Sequence, residues 1–282
     1  MGMAGFGRVQ YKTLIPQALR LSPKIIVVGL YLGNDIYDAY DMAYHYDAHR
    51  NLRDSGAGDL SANTVGDKAT ALWNEEKQFH ATYGRASFSG LSFWLREHLA
   101  IGRLLSRTHL WPGAQDVDYE IDERWAGAHP DRGAVCEWPG RETVFTTAYR
   151  LAGEDLDEPR IAEGLRISRE VLAEMQTDTD ANHARLVILL LPTKEAVYAS
   201  ARSAKLNLDP TYQKLVDMEG RARLRIIATC QSKRIACVDA LPYLASALDR
   251  GERIYPTTTE SHPNARGYLV IAAAANENLG KL

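Results

Sequence analysis

Two uninterrupted apolar runs constrain this chain more than any other feature. They are Lys24-Ile25-Ile26-Val27-Val28-Gly29-Leu30-Tyr31 and Arg185-Leu186-Val187-Ile188-Leu189-Leu190-Leu191. A strand with one wet face alternates apolar and polar residues. A run without alternation reads as a strand covered on both faces, which is the habit of parallel sheets. Arg234-Ile235-Ala236-Cys237-Val238-Asp239 is a third, shorter run. Helical periodicity separates these runs: helices are predicted from about Val9 to Leu21, Arg160 to Gln176, Pro210 to Ser232, Leu241 to Asp249 and from Pro263 onward. Alternation of strand and helix predicts an α/β fold, with an open parallel sheet between layers of helices and right-handed crossovers.

The rhythm fails between about Asp38 and Pro159. Residues 41–70 are rich in Asp, His, Gly and Asn and read as a loop or lid. Leu91, Trp94, Leu95, His98, Ile101, Leu104 and Leu105 recur at helical spacing, and Trp138-Pro139-Gly140 marks a hairpin turn. The expectation is one domain over 1–282, with core segments 1–38 and 160–282 and an insertion at 39–159.

The chain has 282 residues, 33 Lys plus Arg and 36 Asp plus Glu, for a formal net charge of -3. No basic excess exists to neutralise phosphates, which argues against a nucleic-acid partner. Cys136, Cys230 and Cys237 are odd in number and lack a CxxC spacing, so neither a disulfide framework nor a zinc site is expected. No apolar run approaches about 18 residues, so no membrane span is expected. The first residues lack a signal-peptide core, which leaves a cytoplasmic location as the default. No cofactor and no metal is expected. His45 and His49 have i,i+4 spacing, but Tyr46-Asp47-Ala48 between them lacks a glutamate, and they read as loop surface.

Ligands bind open parallel sheets at the carboxyl ends of the strands. Leu32-Gly33-Asn34-Asp35 and Pro192-Thr193-Lys194-Glu195 both lie at such ends, and Glu260-Ser261-His262-Pro263-Asn264 precedes a helix that reaches the same rim. An imidazole there suits a general base, with a carboxylate two residues earlier to fix its tautomer. Asn34 suits an oxyanion donor, and Asp35 a cap on the turn that follows it.

These segments resemble the SGNH (GDSL-type) hydrolase superfamily of esterases, lipases and acyltransferases. Leu32-Gly33-Asn34-Asp35 resembles the family's Gly-x-Asn-Asp block, with the glycine one place later. Glu260-Ser261-His262 resembles its Asp-x-His block, with Glu for Asp. Gly5, in Ala4-Gly5-Phe6-Gly7, resembles its glycine block. The Pro192-Thr193-Lys194-Glu195 turn looks like one found in branches that modify polysaccharides with acyl groups. The resemblance implies a catalytic set of His262, Glu260, Asn34 and Gly5, with Gly33 and Lys194 meeting a small acyl ester, such as an acetylated carbohydrate. It implies a flavodoxin-like sheet in the order 2-1-3-4-5, of which this chain holds strands three to five. The family's Gly-Asp-Ser block has no counterpart here. The expectation is therefore an N-terminally truncated member, with Lys24–Tyr31 left as an unpaired edge and little turnover alone. A degenerate carbohydrate-binding or interaction module is the alternative. Ser87 and Ser89 do not form a Gly-x-Ser-x-Gly elbow and read as a cap for the Leu91 helix.

Overall fold

The computed structural model describes residues 8–56, 58–87, 114–201 and 209–280. Its elements are, in chain order, α1 (Arg8–Leu19), β1 (Ile25–Tyr31), α2 (Asp35–His45), a 3₁₀ segment (Asp47–Leu52), α3 (Thr64–Ser87), α4 (Ala114–Ala128), β2 (Ala134–Cys136), β3 (Thr143–Phe145), α5 (Thr147–Glu154), α6 (Pro159–Ala181), β4 (Arg185–Leu191), α7 (Lys194–Ser200), α8 (Pro210–Lys233), β5 (Ala236–Asp239), α9 (Leu241–Asp249) and α10 (Ala265–Leu279). The fold is mixed α/β. β1, β4 and β5 form a parallel sheet in the order β1–β4–β5, with Val28 opposite Ile188 and Ile188 opposite Cys237. β2 and β3 form the antiparallel hairpin expected around Pro139, with Ala134 opposite Phe145.

Side chains alternate across a sheet, so each strand feeds two cores. Leu186, Ile188 and Leu190 of β4 join Val28 and Leu30 of β1 and the apolar stripes of α1, α2, α6 and α8. On the other face, Leu189 and Leu191 pack with the hairpin, α7, α9 and Ile271 of α10, and Val187 meets Val238 and Ala274. β4 is thus covered on both faces and paired on both edges.

β1 corrects its sequence reading. One face is buried, but Ile25 and Val27 on the other are 39% and 44% exposed. The layer that buries Val187 and Leu189 reaches across β4 and β5 and stops short of β1. Among the described residues β1 pairs only with β4, so its outer edge carries no strand. The reading of 41–70 as a loop is also corrected. α2 runs on to His45 and α3 starts at Thr64, because Ile36, Ala39, Tyr40 and Ala43 keep helical spacing and are fully buried. Nor is 39–159 set apart from the core. Ala39, Ala43, Leu52, Val65 and Leu156 lie in the first apolar cluster, and Phe145 lies in the second. The helix expected at Leu91–Leu105 lies outside the described residues, as does Ser89; Ser87 ends α3.

The two strands should respond differently to truncation. Ile188→Ala removes a side chain with no exposure and should cost about 2–5 kcal/mol in urea unfolding. Val27→Ala should cost less than about 1 kcal/mol. Equal losses would mean that the outer face of β1 is covered.

Candidate active site at the carboxyl ends of the strands

β1 ends in Tyr31, and the chain turns through Leu32-Gly33-Asn34 into α2. The turn is tied back on itself, because the Tyr31 backbone N–H donates to Asp35 Oδ2 at 3.0 Å. Asp35 therefore closes the turn behind it. A Cβ on residue 33 would lie 2.6 Å from the Tyr31 ring, so glycine is what lets that ring fold over the strand end. The ring then stacks on the His262 imidazole, with centroids 6.4 Å apart and planes at 26°.

His262 sits on the loop between Ile254 and α10. Asn264 starts the helix by accepting from the N–H groups of Arg266 and Gly267, the usual device for orphan amides at a helix start. Gly267 is required by close approach, since a Cβ there would lie 2.5 Å from the Ile254 carbonyl. The Asn264 N–H donates to that same carbonyl. The His-Pro-Asn segment is thus folded back against Ile254.

Glu260 meets His262 twice. Its Oε1 accepts from the His262 backbone N–H at 2.9 Å and lies 2.5 Å from Nδ1. Burial raises the Glu260 carboxyl, but the hydrogen bonds from the His262 backbone and ring outweigh it, and its pKa lies below the ordinary value. A carboxylate on Nδ1 selects the tautomer whose Nε2 carries a lone pair. The glutamate, one methylene longer than the expected aspartate, reaches the ring at this short spacing because its carboxylate is held by the backbone of its own target.

A cavity of about 200 Å³ brings the two predicted halves together. Asn34 and His262 both line it, with Tyr31, Leu191, Pro192 and Tyr255. Its floor is the carboxyl ends of β1 and β4. A neighbouring recess of about 210 Å³ is lined by Gly33, Asn34, Tyr149 and Gly153. The Asn34 amide donates to Asp38 Oδ2 at 2.9 Å. An amide nitrogen carries two hydrogens, so one remains for another acceptor. Gly5 lies outside the described residues. Among the described residues that line the 200 Å³ cavity there is no serine. Ser261 is buried, and its hydroxyl accepts from Arg150.

Lys194 does not face the cavity. It is fully buried, and its ammonium donates to Val144 O and Thr258 O at 2.8 Å, Thr143 Oγ1 at 3.0 Å and Glu260 O at 3.1 Å. It ties the hairpin and α7 to the loop that carries Glu260 and His262. Burial pulls its pKa down to about 8, which leaves it mostly charged at neutral pH. The expected substrate contact is replaced by a structural one.

Sequence reading missed the charged layer beneath the site. Arg150 of α5 lies 5.8 Å from the Tyr31 ring centroid. Glu154 and Glu195 are fully buried, and their four carboxyl oxygens have no hydrogen bond among the described residues. Glu219 accepts from the Thr193 N–H at 3.1 Å and from its hydroxyl. No motif marks these residues; only three-dimensional proximity does. Both ring nitrogens of His45 are engaged, by Asp41 Oδ1 at 2.7 Å and Ser61 O at 3.0 Å, consistent with a surface role.

No family model, curated protein or solved structure matches the chain.

Burial pushes the Glu219 carboxyl up to about 7 from an ordinary 4.5, and burial also holds Glu154 well above that value. An acid with a higher pKa in the folded state binds more protons there. The resulting stability is complete below about pH 4.5 and is lost as the pH rises through 7. Glu219→Gln should lessen the loss of stability between pH 5 and pH 8, read by urea unfolding, by roughly 2 kcal/mol. Identical pH dependence in both proteins would refute the assignment.

Proposed function

We propose that this chain supplies the base half of an SGNH-type acyl-transfer site, in an ester hydrolase or O-acyltransferase that handles small acyl esters such as acetylated carbohydrate. The observation that carries the reading is the shared cavity of Asn34 and His262, with Glu260 on the far side of the imidazole. The parallel order β1–β4–β5 supports it, because it suits strands three to five of a 2-1-3-4-5 sheet. In this scheme His262 Nε2 takes the proton of an attacking hydroxyl and returns it to the leaving alcohol. The free Asn34 N–H meets the carbonyl oxygen as charge develops on it. Glu260 holds the ring and stabilises the imidazolium. No serine is among the described residues that line the cavity, so this chain is assigned the base, its orienting carboxylate and one oxyanion donor.

A non-catalytic carbohydrate-binding module is a second reading. It is favoured by the lack of serine among the described residues lining that cavity and by the larger adjoining one, of about 480 Å³, where Trp73, Tyr149 and His262 line a polar surface.

Hydrolysis of para-nitrophenyl acetate separates the two. The acyl-transfer reading predicts slow turnover that falls to the buffer rate in His262→Ala and at least tenfold in Asn34→Ala, at or below the usual cost of one lost oxyanion donor. Rates that are equal in wild type and His262→Ala would reject it in favour of the module.

A further inference from the structure

The geometry points to a site for a zinc-class divalent cation formed by Glu76, His80 and Asp122, beside the His262 loop. Glu76 and His80 are four residues apart on α3 and therefore share a face. Asp122 reaches them from α4. One ligand atom from each residue lies within 4.8 Å of the other two. Zinc binds imidazole nitrogen and carboxylate oxygen at about 2.0–2.2 Å, so two ligands of one ion lie at most about 4.4 Å apart. A side-chain movement of a few tenths of an ångström closes the set.

Two further observations point to a ligand here. Asp122 is 1% exposed, in a place where a carboxylate needs compensation. His80 Nε2 and Asp122 Oδ1 are 2.6 Å apart and enclosed; without a cation they form a close ion pair, and a cation would take the place of the proton between them. The other Asp122 oxygen is already fixed, accepting from the Thr259 N–H at 2.6 Å. A second partner of this kind is what orients metal-bound carboxylates.

The donor set of two carboxylates and one imidazole, with no thiolate, suits Zn²⁺ or Mn²⁺. Three protein ligands leave at least one position open. All three residues line the 480 Å³ cavity, which Glu260 and His262 also line. A water or substrate oxygen on the ion would therefore sit in the same cavity as the imidazole. Thr259 links the two, since its neighbour Glu260 orients His262. This inference does not rest on the acyl-transfer reading, because cation binding is measured without substrate.

The test uses the full 282-residue chain, stripped with a chelator and titrated with Zn²⁺ by calorimetry, with Co²⁺ absorption as a second readout. One equivalent should bind, and Co²⁺ should develop visible bands that Zn²⁺ abolishes. Affinity should drop at least tenfold in His80→Ala and in Glu76→Gln, each checked for folding by circular dichroism, and should be unchanged in His45→Ala. The wild-type Co²⁺ spectrum stands even if a variant fails to fold. The site is overturned if wild type binds less than one equivalent, or if folded variants at His80 and Glu76 bind as wild type does. It is equally overturned if binding is lost with His45.

Discussion

The buried Lys194 ammonium is the interaction on which the arrangement of the site depends. A long, flexible cation gives up water and side-chain freedom to reach an interior position, and only several good acceptors offset that cost. Here the acceptors are three backbone carbonyls and one hydroxyl, drawn from the β2–β3 hairpin and from the 258–260 loop. Removing the charge would take a donor from the carbonyls of Val144, Thr258 and Glu260 at once. The loop has no regular hydrogen-bond ladder of its own, so its shape is set by tertiary anchors: this ammonium, the Asn264 cap, the Val144 N–H on Thr257 O, Asp122 on the Thr259 N–H and Arg150 on Ser261. Position follows from that shape: Glu260 turns back on His262, and the imidazole lies over Tyr31.

Charge balance beneath the site has a similar logic. Arg150, with its guanidinium close to the Tyr31 ring and a hydrogen bond to Ser261, is the cation facing Glu154 and Glu195. Burial favours the protonated form of Glu154 and Glu219, as expected for carboxyls enclosed in a medium that solvates charge poorly. A polar floor under an apolar sheet end is costly to stability. Sites that perform chemistry commonly carry such a cost, although ion-pair networks with no catalytic role carry it too.

The sequence made the strands legible because burial on one or both faces leaves an unbroken apolar run, and it made most of the helices legible through their spacing. It misjudged β1, since Ile25 and Val27 look the same in a sequence whether or not a layer covers them. It misread 41–70 because Asp, His, Gly and Asn are dense there, while Ile36, Ala39 and Tyr40, three of the four buried apolar positions that hold α2, precede the segment. His262, Glu260 and Asn34 stood out because loop position and residue type coincide at the ends of elements. Lys194 was noticed for the same reason but misassigned, because a lysine at a strand end reads as solvated unless its acceptors are seen. The Glu76, His80 and Asp122 cluster was invisible, since its members lie 46 positions apart in sequence at their extremes and meet only through the packing of α3 on α4.

The most direct test of this account is nuclear magnetic resonance of the His262 ring in wild type and in folded Lys194→Met. The account predicts one fixed tautomer in wild type, protonated at Nδ1. It predicts averaged tautomers once the ammonium is gone. An unchanged tautomer in Lys194→Met would show that the loop holds its shape without the buried cation, and would contradict the account.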